Sequence, residues 1–188
     1  MHVSPTGCDR HVALLVIGPR ASGKSTVARA VAARLSWGYA SFGSYVRDQS
    51  RGREAGPSSL RLEEAGHRLI AERGAAGLLA DVLASQETTV ENMVLDGVRH
   101  NSMLEAVNAL YQKVISIYLE VSEQLRSERW LQREGLTNSA GSLRLFEQLS
   151  RAGVERHVFA LRPLATITLD GSRPIDELVE QAINLICS

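Results

Sequence analysis

An unbroken apolar run, Val12-Ala-Leu-Leu-Val-Ile17, opens the patterned part of the chain and ends on Gly18. Six apolar residues without polar alternation predict a strand buried on both faces, as in a parallel sheet. Beyond a glycine-rich turn, Val27, Ala28, Val31 and Leu35 recur at helical spacing and predict a helix over Lys24–Leu35, closed by Trp37 and Gly38. The alternation then repeats. Short apolar runs predict further strands at Tyr39–Ser41, Met93–Asp96, Val114–Leu119 and Ala165–Leu169. Between them, helical periodicity covers Ser44–Arg51, Ser58–Glu72, Ala75–Ser85, Ser102–Tyr111, Ser122–Gln132 and the more polar stretch Ser139–Ala160, broken at Gly153. A last helix over Pro174–Ile186 takes Pro174 as its first residue, where the missing N–H costs nothing. Five buried strands separated by helices predict an α/β fold, a five-stranded parallel sheet covered by helices on both faces. Ligands of such a sheet bind beyond the carboxyl ends of its strands.

Composition narrows the picture. At 188 residues with 44% hydrophobic content the chain builds one sizeable core, so residues 12–188 are expected to form a single domain behind a poorly ordered tail over 1–11. Acidic and basic residues balance at 21 each, which argues against an extended nucleic-acid surface. No apolar run near the start is long enough for a membrane span, and Cys8 and Cys187 share no metal-ligand or redox spacing. The expectation is a cytoplasmic protein with small-molecule substrates, as a monomer or homodimer. Only Lys24 and Lys113 are lysines among the basic residues. The arginine bias fits phosphate binding by planar guanidinium groups, and it fits codon preference equally well.

The chemistry enters with Gly18-Pro-Arg-Ala-Ser-Gly23-Lys24-Ser25, a glycine followed after four residues by glycine, lysine and serine. Glycines let the backbone close around phosphate oxygens, and the amides and the positive end of the following helix point at the anion. The strand before it and the helix after it supply the context that the motif requires, so the expected class is the three-layer P-loop NTPase fold. ATP is then expected on Gly18, Ala21, Ser22, Gly23, Lys24, Ser25 and Thr26, with Lys24 at the β- and γ-phosphates and the Ser25 hydroxyl on Mg²⁺. Such a loop works with a carboxylate on a neighbouring strand. Asp96, ending Met93-Val-Leu-Asp96 before Gly97, is the first candidate, holding the metal partly through water. Asp170, ending the last strand before Gly171, ranks below it because that strand falls at the sheet margin.

Three segments carry a resemblance: Ile17 to Arg29, then Ser41-Phe-Gly-Ser-Tyr-Val-Arg47, then Leu95-Asp-Gly-Val-Arg99. Together they resemble the nucleoside monophosphate kinases of the adenylate and cytidylate kinase type, over roughly the first hundred residues. The resemblance implies that Arg47 and Arg99 grip the acceptor phosphate while Gly43, Ser44 and Tyr45 shape its pocket. It also implies an acceptor-binding insertion over 42–85 and a lid over 135–160, with Arg126 and Arg133 closing on the transferring phosphate and Arg129 less suited to that work. The chain departs from the long adenylate kinases, since Gly135–Ala160 has neither their paired aspartates nor four cysteines. A short helical lid stands in their place, with Arg144, Arg151 and Arg156 as further candidates. His67, His100 and His157 read as surface residues, because a loose phosphoryl-transfer transition state needs positioning and charge more than a strong base. The implied activity is γ-phosphate transfer from Mg·ATP to a nucleoside or deoxynucleoside monophosphate. Two alternatives stay open: a kinase for another small metabolite, and a nucleotide-binding switch.

Overall fold

The computed structural model describes residues 11–50, 58–86, 91–151 and 153–188. The expected tail, with Cys8, lies outside them apart from His11. The strands are β1 (Val12–Ile17), β2 (Gly38–Ser41), β3 (Met93–Asp96), β4 (Lys113–Glu120) and β5 (Ile167–Asp170). They form one parallel sheet in the order β2-β3-β1-β4-β5. Strand β1 sits at the centre, which is why every residue of its apolar run is buried.

Side chains alternate across each strand, so β1 feeds two cores. Val12, Leu14 and Val16 pack with α1 (Lys24–Leu35) and α8 (Ile175–Cys187). Ala13, Leu15 and Ile17 pack on the opposite face with Leu78, Leu79 and Val82 of α3 (Ser58–Ala84) and with Met103, Leu104 and Val107 of α4 (Asn101–Leu110). Helix α3 is interrupted at Gly74, whose φ of 67° and ψ of 169° leave the helical region, so two helical stretches meet there as the glycine predicts. The remaining helices are α2 (Phe42–Gln49), α5 (Glu123–Glu134), α6 (Ala140–Ser150) and α7 (Gly153–Ala160).

Most boundaries shift by one or two residues, and two of the differences have a visible cause. Pro174 is the cap of α8 and not its first residue, because its ψ of 142° is extended. The last strand starts at Ile167, since Thr166 spends its hydroxyl and amide on Ser116 at 3.0 Å each before regular pairing begins. The end of the expected helix at Arg51 lies outside the described residues.

Between β3 and β4 the chain crosses over β1 to the other half of the sheet. The crevice that this reversal opens lies at the carboxyl ends of β1 and β3. Helices α5 and α6 then build a small satellite core of Trp130, Leu131, Phe146 and Leu149, against which Ala21 of the β1–α1 turn packs. Helices α5 and α6 are therefore anchored on the β1–α1 turn itself.

Candidate functional site

The turn after β1 follows its motif in detail. A Cβ at Gly18 would come 2.7 Å from Ser22 Oγ and 3.0 Å from the Leu119 carbonyl, so only glycine fits that tightly closed turn. Gly23 caps α1 with φ of 89° and no side-chain cap hydrogen bond. Its first amides remain aimed outward, the arrangement that receives an anion. Lys24 Nζ rests on the Pro19 carbonyl at 3.3 Å across the turn. Burial, then the neighbouring Arg99 guanidinium, push the Lys24 ammonium down to about 8, while Asp96 and Glu155 act the other way.

Parallel pairing sets Asp96 beside Val16, at the end of β1. Its Oδ2 accepts from Ser25 Oγ at 2.6 Å and from Tyr39 Oη at 3.2 Å, with Ser41 Oγ at 3.5 Å. Its Oδ1 is buried without a hydrogen-bond partner. An orphaned carboxylate oxygen next to a serine hydroxyl fits the hard, oxygen-seeking Mg²⁺ ion and its waters. Burial, then Asp96, raise the Tyr39 hydroxyl above its ordinary range, so it stays a donor to that carboxylate.

The second and third motifs meet at two glycines. Gly97 has φ of 88°, and a Cβ there would stand 3.3 Å from the Gly43 amide. This close approach brings the start of α2 against the end of β3. Ser41 caps α2 by accepting from Ser44 N at 3.2 Å. One cavity of about 440 Å³ follows, and Lys24, Ser25, Asp96, Arg47 and Arg99 all line it. Gly43, Ser44 and Ala21 line it too, as do Arg20 and Arg29. Phe42, Ile70, Leu78 and Met103 supply apolar wall. Tyr45 does not; its ring packs against the sheet core instead. Gly18, Ser22, Gly23 and Thr26 form the turn and the helix start behind the cavity wall.

The lid arginines depart furthest from expectation. Arg126 is buried, placed over the Phe146 ring at 5.7 Å and the Phe159 ring at 5.9 Å, and its Nη1 reaches the Arg20 carbonyl at 3.5 Å. Its aromatic surroundings keep it out of the cavity lining. Arg133 lines the cavity but pairs with Glu134 at 2.8 Å. Arg129, which the family resemblance left as the less suited of the three, donates to the Ser22 carbonyl at 3.3 Å and twice to the Gly171 carbonyl at 3.1 Å. It ties the phosphate-binding turn to the loop after β5. Gly171 is tight as well, since a Cβ there would meet Val121 Cγ2 at 2.6 Å.

No protein-family model and no curated protein sequence matches the chain. Solved structures do match. A shikimate kinase from Acinetobacter baumannii, in complex with shikimate, superposes with a TM-score of 0.61 at 16% identity, covering 94% of this chain and 93% of that one. The chain shares the fold of this kinase. A shikimate kinase from Bacteroides thetaiotaomicron follows with a TM-score of 0.57 at 15% identity over 93% of this chain and 98% of that one. A gluconokinase from Sinorhizobium meliloti gives 0.53 at 18% identity over 95% and 93%. Three layers and the five-stranded parallel sheet are thus shared with small-metabolite kinases. The narrower likeness to nucleoside monophosphate kinases has no counterpart among these neighbours.

Two residues of the site escaped sequence reasoning. Glu155, fully buried on α7, accepts from the Arg20 amide at 2.9 Å and from Arg99 Nη1 at 3.1 Å. A signal existed, because Glu155 stands three residues before Val158 on the buried face of a helix, where a lone carboxylate needs a partner. The other is His100, expected at the surface and instead half-buried in the cavity wall. Its ring lies 5.2 Å from that of His67 and 4.7 Å from that of His157, centroid to centroid. Burial, then His157, His67 and Arg99, push it down to about 4, so it is neutral near pH 7. Among the described residues no helix is long and apolar enough to cross a membrane, and no histidine, cysteine or carboxylate cluster has metal-binding geometry.

Proposed function

We propose that this protein transfers the γ-phosphoryl group of ATP to a hydroxyl of a small, negatively charged metabolite. The observation that carries the proposal is the shared cavity that Lys24, Ser25, Asp96, Arg47 and Arg99 line together. On this reading the outward amides of the turn and the start of α1 hold the β- and γ-phosphates, with Lys24 between them. Arg99 and Arg47 hold the acceptor's anionic group and so turn its hydroxyl toward the γ-phosphorus, in line with the bond to ADP. The new P–O bond forms from that hydroxyl, the bond to the ADP oxygen breaks, and the hydroxyl proton passes to the transferred phosphoryl group or to water. Ser25 and Asp96 would hold Mg²⁺, which when bound neutralises charge on the phosphates. Helix α7 and the start of α2 border the cavity and would exclude water.

The fold neighbours are kinases named for shikimate and gluconate, both hydroxylated carboxylic acids, and they favour this acceptor class. A nucleoside monophosphate is the second reading, favoured by Arg47 and Arg99 standing in the segments that resemble monophosphate kinases. ADP release from Mg·ATP, measured across hydroxy acids and nucleoside monophosphates, separates the two. A protein that releases ADP with neither class, and only with a protein partner, would be a switch.

Two further outcomes follow from the turn. Lys24 is charged below a pKa of about 8, so Mg·ATP affinity is expected to hold up to roughly one pH unit below that value and to fall as pH rises through about 8. Stability of the unliganded protein responds in the opposite sense. Lys24 is lowered from 10.5 on folding, so the unfolded chain binds more protons between about 8 and 10.5 and this group makes stability rise with pH there. Titrating the affinity of a fluorescent ATP analogue against pH, alongside thermal melts, checks both signs. Alanine at Arg129 removes charged donors to the Ser22 and Gly171 carbonyls, and is expected to weaken ATP binding about tenfold, as lost charge-assisted hydrogen bonds do. The same fluorescence titration reads it.

A further inference from the structure

Glu155 has no part in the transfer described above, yet it is fully buried at the meeting point of the lid, the phosphate-binding turn and the acceptor side of the cavity. A carboxylate so placed is costly unless every oxygen is used. Both are used, by different parts of the site: Oε2 by the Arg20 amide at 2.9 Å and Oε1 by Arg99 Nη1 at 3.1 Å. The neighbouring side chains fix the helix that carries it. Val158 and Leu161, each 1% exposed, belong to the core under the sheet, so the carboxylate cannot withdraw without unpacking α7. The Arg99 side chain stays 30% exposed and lines the cavity, so part of its guanidinium still faces the cavity while Nη1 is held from behind.

We infer that Glu155 is a positioning residue that fixes Arg99 and the tip of the phosphate-binding turn in one rigid relation, and thereby sets the distance between acceptor and donor. The inference rests on the phosphotransfer reading for its functional consequence and on the contacts of Glu155 for its geometry. Arg126 completes the arrangement by holding the Arg20 carbonyl at 3.5 Å, so the peptide groups flanking Arg20 are gripped from α5 and from α7. A neutral glutamine at 155 keeps an acceptor for the Arg20 amide but no longer attracts the guanidinium. A leucine loses both. The two substitutions therefore divide the roles.

Two measurements on the full chain test it. The first follows the guanidinium nitrogens of Arg99 by NMR, assigned through their loss in Arg99→Lys. Slow rotation about the Nε–Cζ bond in the unsubstituted protein, and averaging in Glu155→Gln, are expected. Glu155→Asp, which keeps the charge but shortens the reach, gives the same averaging and serves if the glutamine variant does not fold. The second is a double-substitution cycle on acceptor-dependent ADP release with the best acceptor of the hydroxy-acid and monophosphate panel. Glu155→Gln should lower kcat/KM for that acceptor about a hundredfold, the scale of a misplaced reacting group, while Kd for a fluorescent ATP analogue stays nearly unchanged. In an Arg99→Ala background the same change should cost nothing more, because its effect passes through Arg99. Glu155→Leu should weaken the ATP analogue as well. Free rotation of Arg99 in the unsubstituted protein, or fully additive losses in the cycle, overturns the inference. Should no acceptor support ADP release, the phosphotransfer reading fails, and the NMR measurement still decides whether Glu155 holds Arg99.

Discussion

Lys24→Ala is expected to lower acceptor-dependent ADP release by about a thousandfold, the upper range for removing one preorganised donor from a transition state. The ammonium is buried beside the turn, next to Arg99 and Asp96, so no other lysine is placed to replace it. The loss should fall mainly on kcat, because the outward amides of the turn still receive the phosphates and ATP binds, though more weakly. Thermal stability is expected to be unchanged or slightly raised, since a buried cation has been removed. Steady-state kinetics with a melting curve of the same preparation separates these effects. A variant that keeps its rate would place the phosphates elsewhere.

Arg99→Ala has the second largest expected effect, and it divides differently between substrates. The acceptor loses a charged donor, so its KM is expected to rise by about a hundredfold or its kcat to fall comparably, while Kd for the ATP analogue changes far less. The substitution also strands Glu155, which is fully buried. Breaking a buried pair costs about 3–5 kcal/mol. The cost here falls below that range, because Arg99 is 30% exposed and the Arg20 amide still donates to the carboxylate. Arg99→Lys keeps the charge without the planar fork, and should recover stability more than acceptor use. An acceptor KM unmoved by either variant would remove Arg99 from the acceptor site.

Much of this was legible in the sequence, for physical reasons that differ from element to element. The apolar run of β1 fitted a doubly covered strand, and its glycine-rich sequel had the residue types of a tightly closed turn before a helix. Asp96 was legible because a carboxylate ending a buried strand has few other uses. Gly97, at φ of 88°, marks the same spot by the backbone it demands. The lid was less legible. Arg126, Arg129 and Arg133 share one helical face, and spacing cannot say which of them aromatic rings will sequester. Phe146 and Phe159 sit 20 and 33 residues beyond Arg126 and decide it by folding back over that side chain. Glu155 was hidden for the same reason: its partners, Arg20 and Arg99, are remote in sequence and meet it only through the crossover that carries the chain over β1. The acceptor's identity is written in the cavity wall formed by α2, α3 and α4, whose apolar residues pack as a core does and spell no motif.

The central claim is that one cavity holds a triphosphate at the β1–α1 turn and presents an anionic acceptor to it from Arg47 and Arg99. A crystal structure with Mg²⁺ and a non-hydrolysable ATP analogue tests it most directly. The expected result is the β- and γ-phosphates within the 18–25 turn, Lys24 on the γ-phosphate, and the Arg99 guanidinium turned toward it. Phosphates bound outside that turn, or Arg99 swung away from the γ-phosphate, would contradict it.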